Sequence, residues 1–201
     1  MKKMKFWMMA AILLCGVGYM MTSCSDKAKV EKEAEGVEMA EAPQGDGVMA
    51  VINAYLVDSI GSQYAPGEVC IPVVPYQTDE KHNDSISVWG DYWVFNYNVV
   101  GDTLKCVSGG SHAGKMLICK NEQGQDQVMA FEQVEAGHGN LESAKRIFDK
   151  YYDAFHKANS DGDYREEVRA AAIADYVKAH NLPVKYYQDY GWPAKEIPTN
   201  D

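Results

Sequence analysis

Residues 109–116 read GGSHAGKM, and Gly109 to Lys115 fit G-x-x-x-x-G-K, the opening of a phosphate-binding loop. Such a loop needs a helix that begins at the lysine, whose first backbone N–H groups hold the anion, and a Ser or Thr to hold magnesium. Here Met116 follows Lys115, and KMLICK at 115–120 reads as a strand. No nucleotide, and no other cofactor, is expected. The stretch reads instead as a glycine-rich turn that exposes Ser111 and His112 as a loop site. Ser111 would suit a hydrolytic nucleophile, but His112, its neighbour on extended backbone, points away from it. The base would have to be His82, His138, His156 or His180. Spacing brings none of these to Ser111, so no catalytic residue is assigned, and a solvated Ser-His tip between turn formers is the preferred reading.

Two further constellations fall short of chemistry. NSDGD at 159–163 resembles a calcium loop, but with Gly162 at the sixth position Lys157 and Val168 occupy the first and twelfth, where carboxylates are needed. The five cysteines include no C-x-x-C or C-x-x-H spacing, so no metal site is expected. Cys70, Cys106 and Cys119 lie in the body of the chain. Three is odd, so at most one internal disulfide forms there, and free buried thiols are the alternative.

The chain opens MKKMKFWMMAAILLCGVGYMMTSC. Lys2, Lys3 and Lys5 make a positive start, an apolar run follows from Phe6, and Thr22 and Ser23 precede Cys24. This is the layout of a secretory signal and is short for a membrane span. Its end resembles the lipobox of Bacteroidota-type bacterial lipoproteins, with Met21 where the usual pattern has Leu, Val or Ile. The resemblance implies that residues 1–23 are removed, that Cys24 carries lipid, and that the chain is a cell-envelope protein. Ser25 after the cysteine permits export to the outer membrane in some bacteria.

Loss of residues 1–23 removes three lysines and no acid, so the formal net charge moves from −10 to −13. So acidic a chain is a poor partner for nucleic acid or an anionic lipid surface, and attachment to membrane falls to the lipid. Residues 24–45 are rich in Ala, Glu and Lys and read as a flexible acidic tether, with a reach of roughly 25 Å if disordered. Residues 46–201 suffice for one domain.

Within that domain the elements follow from periodicity. Asp46 is placed to cap a helix carrying Val48, Val51, Ile52, Tyr55, Leu56 and Ile60. EVCIPVVP, with its prolines, suits an edge strand. In SISVWGDYWVFNYNVV the alternation sets Trp89, Trp93, Phe95 and Tyr97 on one face and Val88, Tyr92 and Val94 on the other. Gly101-Asp102 suits a two-residue turn that pairs Val100 with Thr103 and Tyr97 with Cys106. Strands at 115–120 and 127–134 follow. Asn140 opens a helix running through Leu141, Ala144, Phe148, Tyr151 and Phe155. Asp163 and Glu166 make a capping box for another, which Asn181 and Pro183 close. The aromatic tail VKYYQDYGWPAKEIP is expected to pack back across the domain.

This order predicts an α+β domain: an N-terminal helix on a curved antiparallel sheet of four to five strands, then two C-terminal helices. Over residues 46–135 it resembles the cystatin-like and NTF2-like folds in element order alone. Protease-inhibiting cystatins carry Q-x-V-x-G, but Gln133-Val134-Glu135-Ala136-Gly137 has Glu at the Val position, so inhibition of thiol proteases is not implied. NTF2-like sheets often enclose a cavity, which makes Trp89, Trp93, Phe95 and Tyr97 the candidate pocket lining, although such a stripe is more often plain core. The expected function is non-enzymatic binding of a small ligand or an envelope protein through the sheet face. The alternative is a secreted hydrolase using Ser111 with a distant His.

Overall fold

A computed structural model of the chain describes residues 47–199. The signal, Cys24, the tether and the Asp46 cap lie outside the described residues. Two long strands organise the rest. Strand β2 (Ser85–Val100) pairs antiparallel with β3 (Thr103–Lys120), from Val100↔Thr103 through Tyr97↔Cys106 to Ser85↔Cys119. Gly101 has φ +65° at the first turn position, a conformation that favours glycine there. The turn and its pairings are as the sequence predicts.

Strand β1 (Val69–His82) forms the edge beyond β2, and its ladder slips between Val73 and Tyr76, where Pro75 has no N–H to give. On the other side β3 meets two different neighbours. Strand β4 (Asp126–Gln133) pairs antiparallel with Gly114–Lys120, and β5 (Tyr186–Gln188) pairs parallel with Thr103–Lys105. A two-residue β6 (Lys195–Glu196) completes a six-stranded mixed sheet.

Helix α1 (Gly47–Tyr55) runs on through a widened turn, Leu56–Ile60, and a tight one, Gly61–Gln63. Ile52, Leu56 and Ile60 pack on Val88, Tyr92, Val94, Met116 and Ile118. The opposite face is covered by α2 (Asn140–Phe148), α3 (Tyr152–Ser160) and α4 (Gly162–Ala179). There Trp89 packs with Phe148 and Phe155, while Tyr97 packs with Ile173, Tyr176 and Tyr187. With both faces covered, Ser87–Val94 is buried without a break.

The α+β layout holds, but the sheet is six-stranded and mixed instead of antiparallel with four to five strands, because the tail adds β5 parallel to β3 and β6 beyond it. Three further departures are in detail. The expected single helix after Asn140 is two helices, broken where Asp149 takes φ +45°, so three C-terminal helices follow the sheet instead of two. Helix α4 is capped by Asp161, whose carboxylate accepts from Tyr164 N at 3.0 Å, and not by Asp163. GGSHAGKM is not a turn: it is the middle of one 18-residue strand. Cβ atoms at Gly109 and Gly114 would land against the carbonyl oxygens of Val94 and Glu132, so these glycines serve close strand approach. The tail does pack back, burying Tyr187 and Ile197, and Asn181 at φ +50° ends α4. No helix among the described residues is long and apolar enough to cross a membrane.

Candidate functional site

Strand β2 places Trp89 against α2 and α3, and Trp93, Phe95 and Tyr97 against α4. Trp89 donates its indole N–H to Ile147 O at 2.8 Å. The Arg165 guanidinium lies 4.3 Å from the Trp93 ring centroid and that of Arg169 lies 4.1 Å from Phe95. Arg169 also donates to the Tyr97 hydroxyl (2.8 Å) and to both carboxylate oxygens of Asp189 (2.7 and 2.6 Å). Trp89, Trp93 and Tyr97 are buried and Phe95 is half-buried. These four residues are the packed seam between sheet and helices, interleaved with arginine. They do not line the cleft described next.

That cleft, of about 790 Å³, opens beside the middle of β3 between the end of β4 and helices α2 and α3. Ser111, His112, Gln133, Tyr152, Phe155 and His156 are among its lining residues. Alternation on β3 sends Ser111 and His112 to opposite faces of the sheet. Ser111 sits opposite Trp93, and its hydroxyl donates to Asp91 Oδ1 at 2.7 Å. His112 is held at both nitrogens: Gln133 Nε2 donates to Nδ1 (2.8 Å), so Nε2 carries the proton and donates to the Tyr64 hydroxyl (2.8 Å).

Asp91 is fully buried, on the same strand face as Trp89 and Trp93. Its Oδ2 accepts no hydrogen bond, and neither Trp93 Nε1 nor Arg165 Nε closes one. The three groups nevertheless act on one another. Burial pushes the Asp91 carboxyl above its ordinary range, while the Ser111 hydroxyl, the Trp93 N–H and the Arg165 charge pull it back. Burial likewise lowers the His112 pKa, opposed by the Asp91 charge, and keeps the imidazole neutral.

Ser111, His112 and His156 therefore share one cleft, while His82, His138 and His180 are not among its lining residues. His82 pairs with Glu80, and His180 lies against the Tyr176 ring. A serine–histidine hydrolase needs the serine proton directed at an imidazole. Here it is directed at Asp91, and His112 spends both nitrogens elsewhere. Among the described residues, no group of three or more His, Cys, Asp or Glu is arranged to hold a metal ion. Cys70, Cys106 and Cys119 are free and half-buried.

Asp91, Arg165 and Gln133 are site residues that spacing alone did not single out. Asp91 did leave a signal, as an acid in an apolar position between two tryptophans of WGDYW. Comparison with protein-family models, with curated proteins and with solved structures gave no match to this chain.

Proposed function

We propose that the protein is a lipid-anchored envelope component, held by Cys24, that binds a ligand without catalysis in the cleft beside β3. One observation carries the binding half of this reading. A fully buried carboxylate with a free oxygen lies directly beneath an exposed serine at the cleft, next to two buried, unpartnered N–H donors. Unsatisfied buried polar groups are costly and uncommon, and a built binding site is one reason for a fold to keep them. Tyr152, Phe155 and Leu141 add apolar wall, the mixture usual in ligand sites.

The anchor and the cleft are tested separately. In the native host, Cys24→Ser should abolish incorporation of an alkyne-labelled fatty acid and release the protein from membranes; unchanged labelling would remove the anchor. For the cleft, Ala136→Trp places a large side chain at an exposed lining position, clear of the buried core. A library of glycans, small polar molecules and short peptides should raise the Tm of the full chain in detergent, and the Trp variant should lose the shift. The hydrolase alternative draws only on Ser111 and His156 sharing the cleft. It requires turnover of an ester or amide substrate that Ser111→Ala abolishes.

A further inference from the structure

The outer edge of β3 is covered at both ends and bare in the middle. Strand β5 stops at Lys105, and β4 begins its ladder at Gly114, extended one residue by Val134 N donating to Ala113 O at 2.8 Å. That bond fixes which way each backbone group points. Ala113 faces away from β2, so strand alternation turns the N–H and C=O of Ser111 and Gly109 the same way. Among the described residues, no backbone group outside the β2–β3 ladder pairs with either. Ser111 and Val107 are exposed and Gly109 is half-buried, and the edge borders the cleft at Ser111 and Ala113.

Bare sheet edges are templates for another strand and are normally blunted by charge, proline or cover. Among the described residues, Ser108 to Ala113 has neither proline, charge nor a covering strand: its one titratable side chain, His112, is turned to the α1 side of the sheet and already paired, and the β-bulge at Val107 bounds the segment on the β5 side. Glycine and serine at 108–111 leave the edge without bulk.

Resting on the reading of this cleft as the binding site, we infer that its ligand is an extended peptide segment of a partner protein. The peptide adds as a short strand to Gly109–Ser111, filling the gap between β5 and β4. Main-chain pairing supplies the affinity. Side chains that alternate into the cleft meet Tyr152, Phe155 and the Ser111 hydroxyl, which supplies selectivity. Sugars and small polar molecules would use the side chains of the cleft but could not use a run of in-plane backbone donors and acceptors in this way.

The test screens the full chain in detergent against a random library of peptides about seven residues long, then scans an enriched peptide by N-methylation. Pairing predicts that N-methyl groups at alternate positions weaken binding about tenfold, with little effect at the positions between. On the protein side, proline is tolerated where the N–H points off the edge. Ser111→Pro should therefore weaken binding about tenfold more than Ser111→Ala, which shares the loss of the hydroxyl. If the proline variant does not fold, the N-methyl scan decides alone. An absence of enriched peptides, or binding indifferent to alternate N-methylation, overturns the inference. A thermal shift by glycans or small molecules that Ala136→Trp removes, without any peptide response, would sink the peptide and leave the cleft reading standing. No response from any probe would end both.

Discussion

The hydroxyl of Ser111, at the solvent edge of β3, donates to Oδ1 of Asp91, a carboxylate with no exposed surface, across 2.7 Å. The pair places an acid beneath a serine with no imidazole between them. The carboxylate is acted on by the Trp93 indole N–H and by the Arg165 guanidinium, whose Nε completes no hydrogen bond although its Nη1 donates to Asn159 O. This arrangement suits recognition better than acyl transfer, because the serine proton is directed at a buried carboxyl group and not at an imidazole.

It also fixes a pH dependence. Burial raises the Asp91 pKa above its unfolded value, so the folded state favours the protonated acid. The contribution of this group to stability is fully present below about pH 3.8, the ordinary carboxylate value, and is lost as pH rises through the folded pKa. Asp91→Asn keeps the shape and carries no charge to bury, since its amide can donate to Ser111 Oγ while its oxygen faces Trp93 and Arg165. The Tm of Asp91→Asn relative to the native chain should therefore climb between pH 3 and pH 7. A difference that stays flat over that range would show that Asp91 carries no raised pKa.

The glycines of GGSHAGKM give a second prediction. Gly109→Ala and Gly114→Ala each drive a Cβ against partner-strand backbone and should cost about 1–3 kcal/mol in urea unfolding. At Gly110 the added carbon meets the Tyr64 hydroxyl, the end of a movable side chain. Gly110→Ala should cost less and show itself mainly as loss of the Tyr64–His112 contact.

The same residues show what was legible in the sequence. The β2–β3 hairpin was, because Gly101-Asp102 and the alternation of Trp89 to Tyr97 are local signals that fix face and register together. GGSHAG was misread because glycine signals either a turn or a close approach, and only the presence of β2 across from it selects the second. The break at Asp149 is a non-glycine residue at positive φ, which composition does not announce. In α4 the sequence carries an apolar stripe through Val168, Ile173 and Tyr176 at helical spacing. The buried position at 169 is nevertheless filled by arginine, a choice explained only by Asp189 and Tyr97 arriving from distant elements. The bare edge of β3 could not be read at all, since it depends on where β4 ends and β5 begins.

Thiol chemistry supplies a third prediction. Burial, with the Asp58 charge adding to it, pushes the Cys70 thiol up to about 11, and burial raises Cys106 as well. Thiolate is the reactive form, so at pH 8 Cys70 should resist iodoacetamide in the folded protein and react at once in guanidinium. Mass spectrometry without reductant should find Cys70, Cys106 and Cys119 all alkylated after unfolding. An intact disulfide among them would contradict the structure.

The last prediction concerns the anchor of the tail. Arg169 is buried, and burial opposes its charge. Hydrogen bonds to Asp189 and Tyr97 more than restore it and hold the guanidinium ionised. Asp189, with 39% of its side chain exposed, is pulled below its ordinary pKa by the Arg169 hydrogen bonds. Its folded pKa is depressed, so its contribution is present above the unfolded value near 3.8 and is lost as pH falls through the folded one. Among the described residues, Asp189→Asn leaves a buried cation with Glu166, 3.8 Å away, as its compensating charge. Breaking a fully buried pair costs about 3–5 kcal/mol, and the partial exposure of Asp189 reduces the expected loss to about 2–3 kcal/mol. The damage should be local first, because the Asp189 carboxylate fastens the turn that presents Tyr190 and Trp192 to solvent, while the turn's own bond, from Trp192 N–H to the backbone C=O of Asp189, survives the substitution. Amide exchange at Tyr187 and Ile197 should therefore accelerate in the variant before exchange in β2 does. If both regions accelerate together, the Arg169–Asp189 pair stabilises the whole domain and is not a latch for its tail.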